Sequence, residues 1–278
     1  YMLFFTQKGK CFWMRVYEIP EGSKNSKGRA MQNLINIEQD DRVKAFICTQ
    51  DLKDEEYVNS NYVIMATKMG QVKKTSLEQY SRPRSNGINA ITIKDDDELL
   101  EAKLTNGNSQ IMLAVKSGKA IRFEESKTRP MGRNASGVRG IRLKDNKDEV
   151  VGMISVNDMD ANILVVSENG FGKRSSLEDY RLTNRGGKGV KTISITEKTG
   201  KLVTLKSVSD NDDLMIINKS GIAIRMQVED LRVMGRATQG VKVISLKDGD
   251  SIAAVAKVMK DDEDLEDVND IEFTGDTV

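Results

Sequence analysis

The chain of 278 residues contains no histidine and only two cysteines, Cys11 and Cys48. The lack of histidine excludes imidazole bases, Ser/His and Cys/His nucleophile systems and most zinc sites. Two cysteines are too few for a disulfide framework, and 13 methionines would be open to oxidation outside a reducing compartment. We therefore expect a cytoplasmic protein with no catalytic residue and no metal site in this chain.

Long apolar segments are also missing. No apolar run approaches the roughly 18 residues that cross a bilayer, and no charged segment followed by an apolar one opens the chain. The chain starts at Tyr1 inside a strand-like pattern and not with methionine. We therefore expect a piece of a longer polypeptide, in which the first structural unit lacks a neighbour.

The net charge of +1 conceals an uneven distribution. Nine of the 42 acidic residues and none of the 43 basic ones lie in residues 261–278, which leaves residues 1–260 with a net charge of +10. This asymmetry predicts a basic body with a polyanionic partner and an acidic, disordered tail. The tail either competes for the basic surface or serves only as a solubilising terminus.

A nine-residue phrase that ends in glycine occurs five times. The copies are residues 1–9 (YMLFFTQKG), 62–70 (YVIMATKMG), 110–118 (QIMLAVKSG), 162–170 (NILVVSENG) and 213–221 (DLMIINKSG). They start 61, 48, 52 and 51 residues apart, and periods of this size are typical of stacked or radially arranged units. The pattern predicts one domain of five units over residues 1–260.

Each copy contains four or five consecutive apolar residues, which is typical of a buried strand. The glycine turn and the alternating segment after it indicate a β-hairpin. We expect two further strands in each unit, one around apolar pairs such as Ile91 and Ile93, and one over closing segments such as residues 99–104. Four short strands per unit predict an all-β fold with propeller-like blades.

The second strand of each hairpin places one long side chain four residues after the turn glycine. These residues leave the strand by the same face, since side chains alternate with a period of two. They are Trp13, Lys74, Arg122, Arg174 and Arg225.

A polar loop that ends in a second glycine concentrates basic residues at matching positions. In the last three units it has two arginines in the pattern Arg-Xaa-Xaa-Xaa-Arg-Xaa-Xaa-Xaa-Gly, and a further cation follows the glycine. We expect these side chains to be solvated. The candidate DNA-binding residues are Lys24, Lys27, Arg29, Arg82, Arg84, Arg129, Arg133, Arg139, Arg181, Arg185, Gly186, Gly187, Lys188, Gly189, Lys191, Arg232, Arg236 and Lys242.

Repetition of these cations in register favours a ring of phosphate contacts over ordinary basic surface loops. Arginine makes bidentate hydrogen bonds to phosphate, and glycine lets backbone N–H groups approach. Residues 184–189 (NRGGKG) are not a Walker nucleotide loop, since a strand and not a helix is predicted to follow. With 5% aromatic residues, base stacking on a single strand is disfavoured, so duplex DNA is the predicted ligand.

The chain resembles the C-terminal domain of DNA gyrase A over its whole length, most clearly in residues 18–30 (EIPEGSKNSKGRA). Residues 185–189 (RGGKG) are similar to the end of the gyrase box, Gln-Arg-Arg-Gly-Gly-Lys-Gly, while Thr183 and Asn184 depart from its start. The resemblance implies a six-bladed β-pinwheel, in which blades exchange strands and duplex DNA wraps around the edge. Five units are present, so the first blade and its principal box are expected upstream.

The resemblance also implies a role within a larger enzyme. The holoenzyme is an ATP-dependent type II topoisomerase that introduces negative supercoils, and its ATP and Mg²⁺ are used by other domains. Implied partners are double-stranded DNA, the N-terminal domains of gyrase A, and gyrase B. This domain would set the handedness of supercoiling and would contain no cofactor.

Three alternatives compete with this interpretation. The equivalent domain of topoisomerase IV has fewer blades and less complete loops, whereas the segment 18–30 and the acidic tail favour gyrase. A propeller that serves as a protein-interaction scaffold would expose apolar patches and not wrap DNA. A propeller hydrolase would need carboxylate or histidine clusters at the central channel, and the sequence provides none that break the repeat.

Overall fold

The computed structural model describes residues 1–23, 28–247 and 249–259. The candidates Lys24 and Lys27 and the predicted acidic tail, residues 261–278, lie outside the described residues. The regular secondary structure of the described part is almost entirely β-strand, and none of its helices is long and apolar enough to cross a membrane.

Three long antiparallel strands form the body of each unit. The first strands are β1 (Met2–Thr6), β4 (Tyr62–Thr67), β8 (Gln110–Val115), β12 (Asn162–Ser167) and β16 (Asp212–Asn218). The second strands are β2 (Lys10–Met14), β5 (Gln71–Ser76), β9 (Lys119–Glu124), β13 (Phe171–Ser176) and β17 (Ala223–Gln227). The third strands are β3 (Val43–Cys48), β7 (Leu99–Thr105), β11 (Val150–Val156), β15 (Leu202–Val208) and β19 (Ile252–Met259). The predicted hairpins and closing strands are confirmed.

The fourth strand of a blade comes from the following unit. These strands have two residues each: β6 (Ile88–Asn89), β10 (Val138–Arg139), β14 (Val190–Lys191) and β18 (Val241–Lys242). Each pairs with the second strand of the preceding blade, as Val190 does with Ala120. The sheet orders are β3-β1-β2-β6, β7-β4-β5-β10, β11-β8-β9-β14, β15-β12-β13-β18 and β19-β16-β17, so the last blade has three strands within the described residues. This exchange defines a β-pinwheel.

The prediction of a strand around the apolar pairs such as Ile91 and Ile93 was wrong. The N–H groups of Ala90 and Ile91 both donate to the carbonyl oxygen of Gly9, so this segment curls over the hairpin turn of the preceding blade and forms no ladder there. Apolar residues occur in this segment because their side chains fill the space between blades, where Ile91 is fully buried. The exchanged strand therefore lies directly after the second glycine.

The blades pack face to face in chain order. One core cluster joins Leu3 and Phe5 of the first blade to Val63 and Met65 of the second, and similar clusters join the later blades. The third strands of neighbouring blades contact each other in succession, from β3 to β19. They form the inner edge of the domain, so the two-residue strands at the opposite side of each sheet form its outer edge.

One short α-helix, α1 (Glu55–Ser60), lies between the first two blades and was not predicted. The Asp54 side chain accepts a hydrogen bond from the amide of Tyr57 and caps the helix N-terminus, while Val58 anchors it in the core. This insertion accounts for the longer first spacing of 61 residues. Single 3₁₀ turns occur at Val16–Glu18, Met31–Asn33, Leu77–Tyr80, Glu125–Lys127 and Leu177–Asp179.

Glycine is required at the start of the exchanged strand. Gly189 and Gly28 share a φ of +69°, but a Cβ at Gly189 would lie 2.5 Å from the carbonyl oxygen of Ala120, whereas Gly28 faces open space. Gly189→Ala is therefore expected to lower the unfolding free energy by about 2 kcal/mol more than Gly28→Ala, since only the former adds a clash to the backbone strain. Urea unfolding of both variants measures this difference, and equal losses would contradict it.

Candidate nucleic-acid interface

In the last three units, each basic loop lies along the outer edge of the preceding blade. Its early part forms a parallel bridge with the second strand of that blade, as Pro130 does with Lys74, Leu182 with Arg122, and Val233 with Arg174. Its end forms the exchanged two-residue strand, which pairs with the start of the same second strand. These two pairings therefore fix both ends of the loop at the outer edge of the domain.

Most of the predicted cations are exposed on this rim. Arg139, Lys191 and Lys242 lie on the outermost strands β10, β14 and β18. The full exposed set is Arg29, Arg82, Arg84, Arg129, Arg139, Arg181, Lys188, Lys191, Arg232 and Lys242. Gly187 is exposed too, and Gly186 and Gly189 are half-buried. The structure thus places the predicted cations of successive blades at matching positions of one edge.

The second arginine of the loop does not have the solvated side chain that we expected. Arg185 is half-buried, and its Nε and Nη1 donate to the carbonyl oxygens of Lys127 at 2.9 Å and Arg139 at 3.1 Å. Arg236 donates in the same way to Asp179 at 2.9 Å and Lys191 at 2.8 Å. These guanidinium groups tie each loop to the unit before it, because backbone carbonyls lie within their reach.

Arg133, the equivalent residue in the third unit, is also half-buried. Its backbone amide donates to Oε1 of Gln79 at 3.2 Å. Contact of Arg133, Arg185 and Arg236 with DNA stays a prediction, while their side chains already belong to the packed part of the loops.

Neighbouring loops are joined by backbone hydrogen bonds. Gly186 donates to Gly140 at 2.6 Å, and Arg142 donates to Gly187 at 2.8 Å. Ser194 donates to Thr238 at 3.1 Å in the next pair of units. Residues 129–142, 181–194 and 232–242 therefore form one continuous surface, which we call the loop belt.

The glycine-rich segment of the loop belt borders a shallow hollow. Arg122, Arg181 and Lys188 line it together with Gly187 and Gly189, and its volume is about 160 Å³. The exposed cations Arg181 and Lys188 beside these glycines can bind a phosphate group by charge and by backbone donors, whereas the guanidinium group of Arg122 is already bonded within the protein. No group of three or more acidic or cysteine side chains suited to a metal ion occurs among the described residues.

The long side chains that follow the turn glycines join each blade to the next one. Trp13 donates from Nε1 to the carbonyl oxygen of Tyr80, and Arg122 donates to those of Leu177 and Tyr180. Lys74 lies 3.6 Å from the buried carboxylate of Glu125, and Arg174 bonds to Leu231 and Glu229 and is ion-paired with Asp210. We call Trp13, Lys74, Arg122 and Arg174 the clasp residues. Their shared face was predicted, but not their acceptors in the next unit.

Two buried lysines, Lys73 and Lys173, were missed by the sequence analysis. Burial lowers the pKa of Lys73 to about 7, with a smaller effect of nearby Arg133, and burial lowers the pKa of Lys173 to about 8. Both side chains donate to the loops that cross them, Lys73 to the carbonyl oxygen of Arg133 and Lys173 to that of Gly235. The only signal of their burial in the sequence is that each lysine follows the turn glycine by three residues, a position that is apolar in the other units.

The lowered pKa of Lys73 predicts a dependence of stability on pH. The unfolded chain binds a proton at this lysine up to its ordinary pKa of 10.5, whereas the folded chain releases it near pH 7. The unfolding free energy is therefore expected to rise with pH between about 7 and 10, and Lys73→Ile should make the rise smaller, while Lys173 still contributes above about pH 8. Urea unfolding across this range measures it. The same slope in Lys73→Ile and in the exposed-site control Lys53→Ile would contradict the assignment.

A ring-like succession of blades that exchange their outer strands, with one basic loop at each exchange, defines the domain as a β-pinwheel. The sequence matches the family described as DNA gyrase C-terminal domain, beta-propeller, over residues 1–50, 61–106, 110–157, 161–209 and 212–259. The chain belongs to this family.

Relatives and solved structures agree with this membership. The chain is 44% identical over 264 residues to DNA gyrase A of Staphylococcus epidermidis (strain ATCC 12228 / FDA PCI 1200), and 44% identical over 266 residues to that of Staphylococcus aureus (strain NCTC 8325 / PS 47). Each match covers 95% of this chain and 29% of the relative, so the chain spans less than a third of those proteins.

Two solved structures are similar at 25% sequence identity and cover 93% of this chain. They are the C-terminal domain of DNA topoisomerase IV, with a TM-score of 0.83 and 79% of that chain covered, and a DNA gyrase A C-terminal domain, with a TM-score of 0.79 and 82% covered. The fold alone therefore does not separate the two enzymes, while the identities of the full-length relatives favour gyrase.

Proposed function

We propose that the chain binds duplex DNA along its outer edge and wraps it, without a strong sequence preference. The observation that carries this proposal is the placement of exposed cations at the same position of successive blades, as with Arg139, Lys191 and Lys242 on the outermost strands. Contacts to phosphates determine position and affinity but do not read sequence. A duplex that follows this edge would contact one cluster of exposed cations on each blade.

The energy of bending is compatible with this path. Bending 20–30 base pairs by 40–90° costs about 1–6 kcal/mol, which repeated phosphate contacts can offset. The backbone hydrogen bonds within the loop belt fix the backbone that carries the cations before DNA arrives, so little backbone ordering entropy is lost on binding.

The proposed role extends to the enzyme to which the gyrase relatives belong. Wrapping would determine the handedness with which one DNA segment crosses the segment that the enzyme cleaves. It would in this way give DNA gyrase its negative supercoiling. ATP, Mg²⁺ and the catalytic tyrosine would act in other domains, with the N-terminal part of gyrase A and with gyrase B as partners. The equivalent role in topoisomerase IV is the alternative, to which the similarity of the solved domain gives support.

Binding measured against salt concentration tests the proposal. Each neutralised phosphate contributes about 0.9 to the slope of log K against log salt, so contacts from the exposed cations predict a slope steeper than about −5. Two unrelated duplexes of equal length are expected to bind with similar affinity. A nearly flat salt response, or a strong preference for one duplex, would overturn the proposal.

A further inference from the structure

The strand position three residues after the turn glycine is occupied by two kinds of residue. In three units it is apolar, as Phe12, Ile121 and Ile224, and in two it is lysine, as Lys73 and Lys173. Both lysines are fully buried, with 0% exposed area. Because burial of an ammonium group opposes folding and an apolar residue serves the same place in other units, stability does not account for these lysines.

The contacts of the two lysines point to a different role. The Nζ atom of Lys173 donates to the carbonyl oxygen of Gly235 at 2.6 Å and to Oγ1 of Thr238 at 3.0 Å. Lys73 donates to the carbonyl oxygens of Arg133 and Ala90. Each lysine therefore contacts the middle of a basic loop, which strand pairing fixes only at its two ends.

The loop of the fourth unit provides the internal comparison. It passes over Ile121, whose Cδ1 lies against Gly187. Its middle is held by a backbone hydrogen bond from Gly186 to Gly140 at 2.6 Å and not by a lysine. The loops with a lysine beneath them carry other residues at the place of Gly187, namely Ala135 and Thr238. All three loops accept a backbone hydrogen bond from the preceding unit at this place, from Thr92, Arg142 and Ser194, so in two of them the lysine adds a further contact from beneath.

We propose that Lys73 and Lys173 are positioning residues for DNA binding, which fix residues 129–137 and 232–240 from beneath so that their arginines face the duplex. The inference rests on the proposed function of the loop belt.

Amide hydrogen exchange of the whole chain, without DNA, tests the positioning directly. In Lys173→Ile the amides of Arg236 and Thr238 are expected to exchange at least tenfold faster, while that of Thr183, in the loop over Ile121, is unchanged. Lys73→Ile should do the same at Arg133 and Ala135. Lys173→Gln keeps a neutral donor, so it should recover part of the protection. Unchanged exchange in both isoleucine variants would overturn the proposal, and so would an equal increase in all three loops.

Binding of a duplex of about 40 base pairs supplies the second readout. Lys173→Ile is expected to weaken binding at least fivefold and to lower the salt slope by about 1 to 2, because arginines of residues 232–240 lose their alignment with phosphates. Lys53→Ile, an exposed control outside the loop belt, should bind as the unchanged chain does. Normal affinity and slope in Lys173→Ile would refute the positioning role. Failure of the unchanged chain to bind DNA would instead refute the proposed function, and the exchange result would stand.

Discussion

Replacement of six exposed cations of the loop belt by glutamine is expected to weaken the binding of duplex DNA about a thousandfold at about 0.1 M salt. If each exposed ion contact with a phosphate contributes about 0.7 kcal/mol, six contribute about 4 kcal/mol. The salt slope should become shallower by about 5, since six phosphates are no longer neutralised. The replaced residues are Arg129, Arg139, Arg181, Lys191, Arg232 and Lys242, which are all exposed.

A control variant with the same change of charge separates local contacts from net charge. It replaces exposed lysines outside the candidate set, namely Lys53, Lys94, Lys144, Lys147, Lys219 and Lys247. Fluorescence anisotropy with a labelled duplex measures both affinities, and urea unfolding checks that both variants are folded. Equal losses in the two variants would show that net charge, and not the loop belt, determines binding.

Replacement of Arg174 by methionine is expected to cause the largest loss of stability, about 3 kcal/mol. Arg174 is 7% exposed and joins the fourth blade to the fifth through the carbonyl oxygens of Leu231 and Glu229, and it also pairs with the largely exposed carboxylate of Asp210 in the connection between β15 and β16. Removal of the guanidinium group leaves the buried carbonyl oxygen of Leu231 without its donor, and an unpaired buried polar group costs about 1–3 kcal/mol. Methionine preserves the apolar stem, so the loss reports mainly on the guanidinium group.

Arg181→Met is the matched control, since Arg181 is an exposed arginine of the next loop. It is expected to change the unfolding free energy by less than about 0.5 kcal/mol. Urea unfolding at pH 7 measures both variants. A loss below about 1 kcal/mol for Arg174→Met would mean that the clasp residues do not hold the blades together.

The repeated hairpins were predictable because two signals coincide in them. A buried apolar strand and a glycine turn recur together, as in residues 110–118, and both are local properties of the sequence. The exchanged strands were misplaced because a pair such as Val190 and Lys191 has no pattern of its own. Its strand conformation comes from a distant partner in the preceding blade, Ala120 with Lys119. The apolar alternation of residues such as Ile193 reflects burial between blades, which a period of two cannot distinguish from a strand.

The candidate interface was predictable in its location but not in its internal contacts. Arg181 and Arg185 look alike in the sequence, yet the first is exposed and the second is half-buried and bonded to Lys127 and Arg139. The difference depends on which backbone carbonyls the fold brings within reach. The buried Lys73 escaped notice for the same reason, since its acceptors on Ala90 and Arg133 lie 17 and 60 residues along the chain.

The change in linking number on binding to nicked plasmid is the most direct test of wrapping. The chain is bound to nicked circles, the nick is sealed by ligase, and the topoisomers are resolved after the protein is removed. Wrapping predicts that the centre of the distribution moves in one direction, in proportion to the amount of bound chain, and that the six-cation variant produces no shift. An unmoved distribution at saturating occupancy would mean that the chain binds DNA without wrapping it.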